Sequence, residues 1–61
     1  MSSYEYKYIL INNKGVGTSW ISKEAFESMI DALDFGVHYA LLRIKEEKDS
    51  TLTQFEVLKK N

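Results

Sequence analysis

The stretch from Ser22 to Phe35, SKEAFESMIDALDF, decides the predicted fold because it has the clearest helical pattern in the chain. Its large apolar residues follow the helical spacing i, i+3, i+4 and i+7: Phe26, Met29, Ile30 and Leu33. Ser22 has the hydroxyl of a typical N-cap, and Gly36 suits the left-handed position that follows a helix end. We therefore predict one amphipathic helix from Ser22 to Phe35.

Four other segments have the composition of β-strands. Tyr4–Ile11, YEYKYILI, is rich in aromatic and β-branched residues, and a turn of Asn and Gly residues separates it from a second strand at Val16–Ile21. Val37–Glu46, VHYALLRIKE, is predicted as a third strand because it follows the helix stop, although its second half also has helical character. Leu52–Lys59 alternates as a fourth strand would.

The order ββαββ predicts an α+β fold, in which one helix packs on one face of a four-stranded antiparallel sheet of order 2-1-3-4. We expect residues 1–61 to form a single small domain. In the third strand, the side chains expected to face the helix are His38, Ala40, Leu42 and Ile44. In the fourth, Phe55 and Val57 are expected to face inward and Leu52 outward. The first strand stays open, because two sets compete for burial: Tyr4, Tyr6, Tyr8 and Leu10, or Ile9 and Ile11.

Composition excludes several classes of function. Eight basic and nine acidic residues give a net charge of −1, which disfavours non-specific binding to duplex DNA. The chain has no cysteine and so no disulfide or thiolate metal ligand, and a domain this small is expected to be marginally stable. We therefore predict a homodimer, with no cofactor and no metal.

No apolar run could span a membrane and no signal sequence is evident, which favours the cytoplasm. The bias toward residues with AT-rich codons is typical of a low-GC bacterium, or of a phage or mobile element resident in one.

The first candidate site is a set of aromatic and basic residues assigned to the open face of the sheet: Tyr6, Tyr8, Trp20, Tyr39, Arg43 and Lys45. Rings on a sheet can stack unpaired bases while cations bind phosphates, as in single-strand binders. The same rings can instead fill a core or a protein interface. We favour a small interaction protein that binds another protein and homodimerises through the sheet, with single-stranded nucleic-acid binding as the alternative.

One local sequence supports that alternative. KGVGTSWISKEAFESMIDAL resembles the strand-to-helix passage of positive-cofactor-type single-stranded DNA-binding domains, in which a Gly-rich hairpin strand leads through a serine into a helix. The matching positions are Lys14, Gly15, Ser22, Glu24 and Phe26. The resemblance covers about twenty residues. The chain departs from that family in the two strands predicted after the helix.

The second candidate site is acidic. Four carboxylates lie at i, i+3, i+7 and i+10 of the predicted helix and would form a ridge opposite its apolar stripe: Glu24, Glu27, Asp31 and Asp34. Such a ridge could bind a basic partner, or it could simply be a solvated helix face. We predict no enzymatic activity, because His38 is the only histidine and no serine lies in a nucleophile-elbow sequence.

Overall fold

The computed structural model describes residues 3–60 and contains a three-stranded antiparallel sheet with one helix packed on one face. The elements are β1 (Ser3–Ile11), β2 (Gly17–Ile21), α1 (Met29–Glu46) and β3 (Thr51–Lys60), and the sheet order is β2-β1-β3. The α+β class is therefore confirmed. The four-stranded sheet of order 2-1-3-4 is wrong, because residues 3–60 contain three strands only.

The predicted hairpin of β1 and β2 is confirmed, and its turn is stabilised by local hydrogen bonds. The Asn12 Oδ1 atom accepts from the amide of Lys14 at 2.9 Å and from the amide of Val16 at 3.0 Å. Gly15 has a φ of 80°, a conformation that residues with a side chain rarely adopt. The side-chain bonds of asparagine and the freedom of glycine thus reverse the chain here.

The predicted helix from Ser22 to Phe35 has the wrong boundaries at both ends. The helix α1 begins at Met29, where the Ser28 hydroxyl oxygen accepts from the amides of Ile30 at 3.2 Å and Asp31 at 3.4 Å. Ser28 is therefore the N-cap, the position that the sequence interpretation gave to Ser22.

Residues 22–26 do not join the helix because they pair with the edge of β1. The Ser22 amide donates to the Tyr6 carbonyl at 3.0 Å, and the Tyr6 amide donates to the Ser22 hydroxyl oxygen at 3.3 Å. Tyr4 and Phe26 then exchange two backbone hydrogen bonds of 2.8 Å each. These bonds use backbone groups that a helix starting at Ser22 would need, so the segment extends the sheet.

The predicted third strand is also wrong, because Val37–Glu46 forms the second half of α1. Gly36 lies inside the helix and faces the sheet, in line with Ala32 and Ala40 at i−4 and i+4, and all three are buried. A Cβ atom on Gly36 would lie 2.6 Å from Phe55 Cζ, which is closer than two non-bonded carbon atoms approach each other. This glycine is there because the helix packs close to the sheet, and it does not end the helix.

The register of the sheet settles which side of β1 is buried. Tyr8 and Leu10 are each 3% exposed and face α1, so the tyrosine-containing set of β1 is the inward one. In β3, Phe55 lies opposite Tyr8 and Val57 lies opposite Tyr6, so both face α1 as predicted.

The prediction that Leu52 faces outward is wrong. A bulge between Ile9 and Leu10 shifts the pairing of β1 with β3 and brings Leu52 opposite Leu10. Because directly opposed residues share a face of the sheet, Leu52 lies on the helix side.

The core within residues 3–60 is small. Its buried apolar residues are Tyr8, Leu10, Ala32 and Ala40, and only two of these are large. Eleven large apolar side chains are exposed, and eight of them belong to α1. Most of the large apolar side chains of α1 therefore contribute to its surface rather than to this core.

Candidate functional site

A groove lies beside α1 because the helix packs over β1 and β3 and leaves the β2 side of the sheet uncovered. Its volume is about 560 Å³. We call it the aromatic groove, and its main lining residues are Tyr6, Tyr8, Trp20, Phe26, Phe35, Tyr39, Leu42 and Arg43. They come from β1, β2, the segment before the helix and one flank of α1.

Five of the rings form a continuous series of contacts. Tyr6 lies 6.1 Å from Tyr8 and 6.1 Å from Phe26, measured between ring centroids. Phe26 lies 5.2 Å from Phe35, which lies 6.4 Å from Tyr39. All four separations fall in the range preferred by aromatic pairs, so the sheet, the connecting segment and the helix fix each other's rings.

Trp20 and Arg43 close one end of this lining. The Arg43 Cζ atom lies 3.5 Å from the centroid of the Trp20 ring, a cation–π contact. The Arg43 guanidinium also lies 3.7 Å from the Glu47 carboxylate. The Trp20 Nε1 donor is buried and has no acceptor in the described part of the chain, which leaves an unsatisfied N–H at the wall.

The charges that line the groove balance. Lys23 and Arg43 contribute two positive charges, and Glu24 and Glu46 contribute two negative ones. Burial raises the pKa of the Tyr6 hydroxyl, and nearby tyrosines and the Glu24 carboxylate raise it further. Tyr6 therefore keeps its proton and can donate a hydrogen bond at neutral pH.

The first predicted site is largely brought together in the groove. Tyr6, Tyr8, Trp20, Tyr39 and Arg43 all line it, whereas Lys45 is exposed on α1 and is absent from the lining. The predicted placement of Tyr39 and Arg43 on a third strand is wrong, because both belong to α1.

Sequence interpretation missed three members of the lining. Phe26 was assigned to the apolar stripe of the shorter helix, and Phe35 and Leu42 were given no role in a site. Phe35, Tyr39 and Leu42 lie at i, i+4 and i+7, a helical spacing that spans the predicted boundary at Gly36. Following this period across Gly36 would have placed Phe35 and Leu42 on the same side of one helix as Tyr39.

The second predicted site does not form one helical ridge. Glu24 and Glu27 precede α1, while Asp31 and Asp34 lie within it. Asp31 belongs to the first turn of α1, where a negative charge suits the positive end of the helix dipole. Binding by these four carboxylates stays a prediction.

His38 is exposed on α1, so its predicted place in a strand facing the helix is wrong. The His38 and Tyr39 rings meet edge-on, with their centroids 5.6 Å apart. Within residues 3–60, no group of three or more His, Cys, Asp or Glu side chains could hold a metal ion. In the same part of the chain, no helix has both the length and the apolar character needed to cross a membrane.

Comparison with known proteins gives no match: no family model and no curated protein matches the sequence, and no solved structure matches the fold. The local resemblance to positive-cofactor-type domains does not extend to the structure either. In that pattern the serine leads into the helix, but Ser22 pairs with β1 and α1 begins at Met29.

Proposed function

We propose that the protein is a non-enzymatic interaction protein that binds an extended segment of another protein in the aromatic groove. The observation that carries the proposal is the groove itself, a cleft of about 560 Å³ with many aromatic side chains in its lining, on a chain whose own core contains few large side chains. Clefts of this size and lining are typical of binding sites.

The charge of the groove favours a protein segment over a nucleic acid. A single-strand binder needs free cations along the backbone path. Here the two cations of the lining are matched by two carboxylates, and Arg43 already contacts both Trp20 and Glu47. Aromatic residues surrounded by balanced charges are typical of protein interfaces.

The edge of β2 favours an extended partner. Beside the groove, the outer edge of β2 pairs with no other strand in residues 3–60, and the strand, GTSWI, contains neither a charged residue nor a proline. Such an edge can accept a further strand by backbone hydrogen bonds. Alternate side chains of the added strand would then point to the same face of the sheet as Trp20, toward the groove.

The test uses peptides selected against the intact protein from a displayed random library, with binding followed by Trp20 fluorescence. We expect selected peptides to be rich in apolar and aromatic residues. Replacing Tyr39 with alanine should weaken their binding by about tenfold or more, because the exposed aromatic ring that a bound peptide would cover is lost. The matched control is Val16→Ala, which removes an exposed apolar side chain at the hairpin turn, away from the groove; it should leave binding unchanged.

Two results would overturn the proposal. The first is selection of peptides without apolar character, or of peptides that bind Tyr39→Ala as well as the natural chain. The second is quenching of Trp20 by a poly-dT oligonucleotide at low salt that disappears at high salt, since this salt dependence would support the nucleic-acid alternative. A cytoplasmic location and a phage or mobile-element origin stay predictions.

A further inference from the structure

The flank of α1 opposite the aromatic groove carries a second apolar surface, which lies above β3. We call it the helix stripe, and its members are Ile30, Leu33, Val37, Leu41 and the half-buried Ile44. The exposed fraction of Ile30 is 67% and that of Leu41 is 58%. Leu52 of β3, 41% exposed, lies on the same side of the sheet.

The spacing of the helix stripe is symmetric about Val37. Ile30 and Ile44 lie seven residues to either side of it, and Leu33 and Leu41 lie four residues to either side. Two copies of such a helix can pack antiparallel with Val37 on a two-fold axis, because each position then faces its mirror position. This self-complementarity is what a two-fold symmetric interface requires.

We propose that a second copy of the chain covers the helix stripe, with α1 packing antiparallel against its counterpart while β3 pairs antiparallel with the partner's β3. The sheet then continues across both copies as six strands. The outer edge of β3 is free for this pairing, since β1 is its one strand partner in residues 3–60.

The two contacts share one symmetry axis. Gly36 contacts both Phe55 of β3 and Tyr6 of β1, so the neighbouring Val37 lies level with Phe55, which is near the middle of β3. Pairing centred on Phe55 sets Glu56 opposite the partner's Gln54. It also sets Lys59 opposite the partner's Thr51, so no like charges face each other across the strands.

The distances of the two contacts also agree. Paired strands lie about 4.8 Å apart, and α1 packs over both β1 and β3 rather than over β3 alone. Joining the two β3 edges therefore brings the helix axes to roughly 10 Å apart, which is the distance at which helices with aliphatic contacts pack. A single rigid-body docking of the two copies thus forms the helix–helix contact and the β3–β3 contact together.

Charge selects the antiparallel direction. Asp34 lies in the first half of α1 and Lys45 near its end, and both are exposed beside the helix stripe. Side chains on a helix lean toward its N-terminus, so antiparallel packing brings Asp34 within reach of the partner's Lys45. A parallel pair would instead place like charges together.

This dimer leaves the aromatic groove free in both copies, because the groove lies on the other flank of α1. Each groove would face outward at an opposite end of the six-stranded sheet. Neither proposal depends on the other, because no residue of the helix stripe lines the groove. The two surfaces share only the helix α1.

Sedimentation equilibrium of the intact chain tests the association. We expect a reversible dimer at micromolar concentration. Val37→Lys places two like charges at the axis and should weaken dimerisation by about 100-fold or more. The matched control is His38→Lys, which adds the same charge one residue away, on the solvent side of α1. This control should change the dimerisation affinity little. A natural chain that remains a monomer at several hundred micromolar would overturn the proposal.

Disulfide cross-linking tests the axis without relying on a disruptive substitution. The natural chain has no cysteine, so Val37→Cys creates a single thiol that lies next to its own copy across the axis. We expect mild oxidation to link most of the protein into dimers, whereas His38→Cys should give little linkage. Equal linkage at the two positions would show that another surface is used.

A charge exchange tests the direction of packing. Asp34→Lys and Lys45→Asp should each weaken the dimer several-fold, and the double variant should restore it, because the attractive pair is formed again with reversed signs. Failure of the double variant to recover would exclude antiparallel packing through these groups. Peptide binding in the groove, followed in the same variants, should remain unchanged whichever result is obtained.

Discussion

The side of α1 that meets the sheet and the sides that face away from it are built from opposite kinds of residue. The sheet side carries Ala32, Gly36 and Ala40, all buried. The outward flanks carry large apolar side chains, with Phe35 48% exposed on one and Ile30 67% exposed on the other. In an ordinary surface helix the large apolar side chains are the buried ones.

The chain thus places its small residues against the sheet and its large apolar residues on the outward flanks of α1. Small residues let the helix approach the rings of Tyr6 and Phe55, so the sheet supplies the bulk of the core. The large residues of α1 then add little to the folded monomer. They form the aromatic groove on one flank and the helix stripe on the other, and these are the two surfaces for which we propose partners.

The largest expected effect comes from breaking the sheet side of this comparison with Gly36→Ala. The added Cβ atom would lie 2.6 Å from Phe55 and 2.7 Å from Tyr6, so the helix or the rings must shift. We expect the free energy of unfolding to fall by about 1–3 kcal/mol, measured by denaturant titration. Helix propensity alone predicts the opposite sign, a gain of about 1 kcal/mol.

That opposition of signs makes the measurement decisive. His38→Ala is the control, because it also places alanine in α1 but at an exposed position, where only helix propensity and the edge contact with Tyr39 change. Stabilisation by Gly36→Ala would mean that the helix does not approach the sheet as closely as we describe.

The strands could be predicted because their signals are local. The turn chemistry of Asn12 and Gly15 and the aromatic, β-branched composition of β1 are properties of neighbouring residues, and they predicted the hairpin correctly. The alternation in β3 gave the inward direction of Phe55 and Val57. The bulge that turned Leu52 inward depends on the pairing of two distant strands, so no local pattern revealed it.

The helix position could not be predicted because it depends on tertiary contacts. Ser22 has the chemistry of an N-cap, yet its amide and hydroxyl are used by Tyr6 of β1. Gly36 has the chemistry of a helix end, yet it is required by the close approach of Phe55. Tyr39 and Arg43 were selected for their chemistry as strand residues, and the structure places both in the groove from the helix α1.

A smaller effect should follow from changing the groove flank with Arg43→Gln. The substitution removes the cation from the Trp20 ring, and we expect the free energy of unfolding to fall by about 0.5–1 kcal/mol. Trp20 emission should shift to longer wavelength as water reaches the ring. Glu47→Gln is the matched control, since it removes only the partly exposed ion pair at 3.7 Å. An equal loss in both variants would show that the ion pair, not the ring contact, matters.

A still smaller effect is expected on the other flank with Ile30→Ala. Ile30 is 67% exposed, so the free energy of unfolding of the monomer, measured at low protein concentration, should change by no more than about 0.5 kcal/mol. At high concentration the same variant should unfold at lower denaturant than the natural chain, because association stabilises only the folded state. A large loss of unfolding free energy at low concentration would show that Ile30 stabilises the monomer itself. The two sides of the helix would then not differ in their contribution to folding.

The smallest effect concerns Tyr6, whose ring joins the sheet side of the helix to the groove. Because burial raises the pKa of the Tyr6 hydroxyl, the unfolded chain loses this proton first as the pH rises. Stability is therefore retained below the ordinary tyrosine pKa of about 10 and falls as the pH rises from there through the higher folded-state value. Tyr6→Phe should lessen this alkaline loss, measured as the slope of the unfolding free energy against pH. Identical slopes would mean that water reaches the Tyr6 hydroxyl freely, and the groove would then be open to solvent down to the strand that forms its floor.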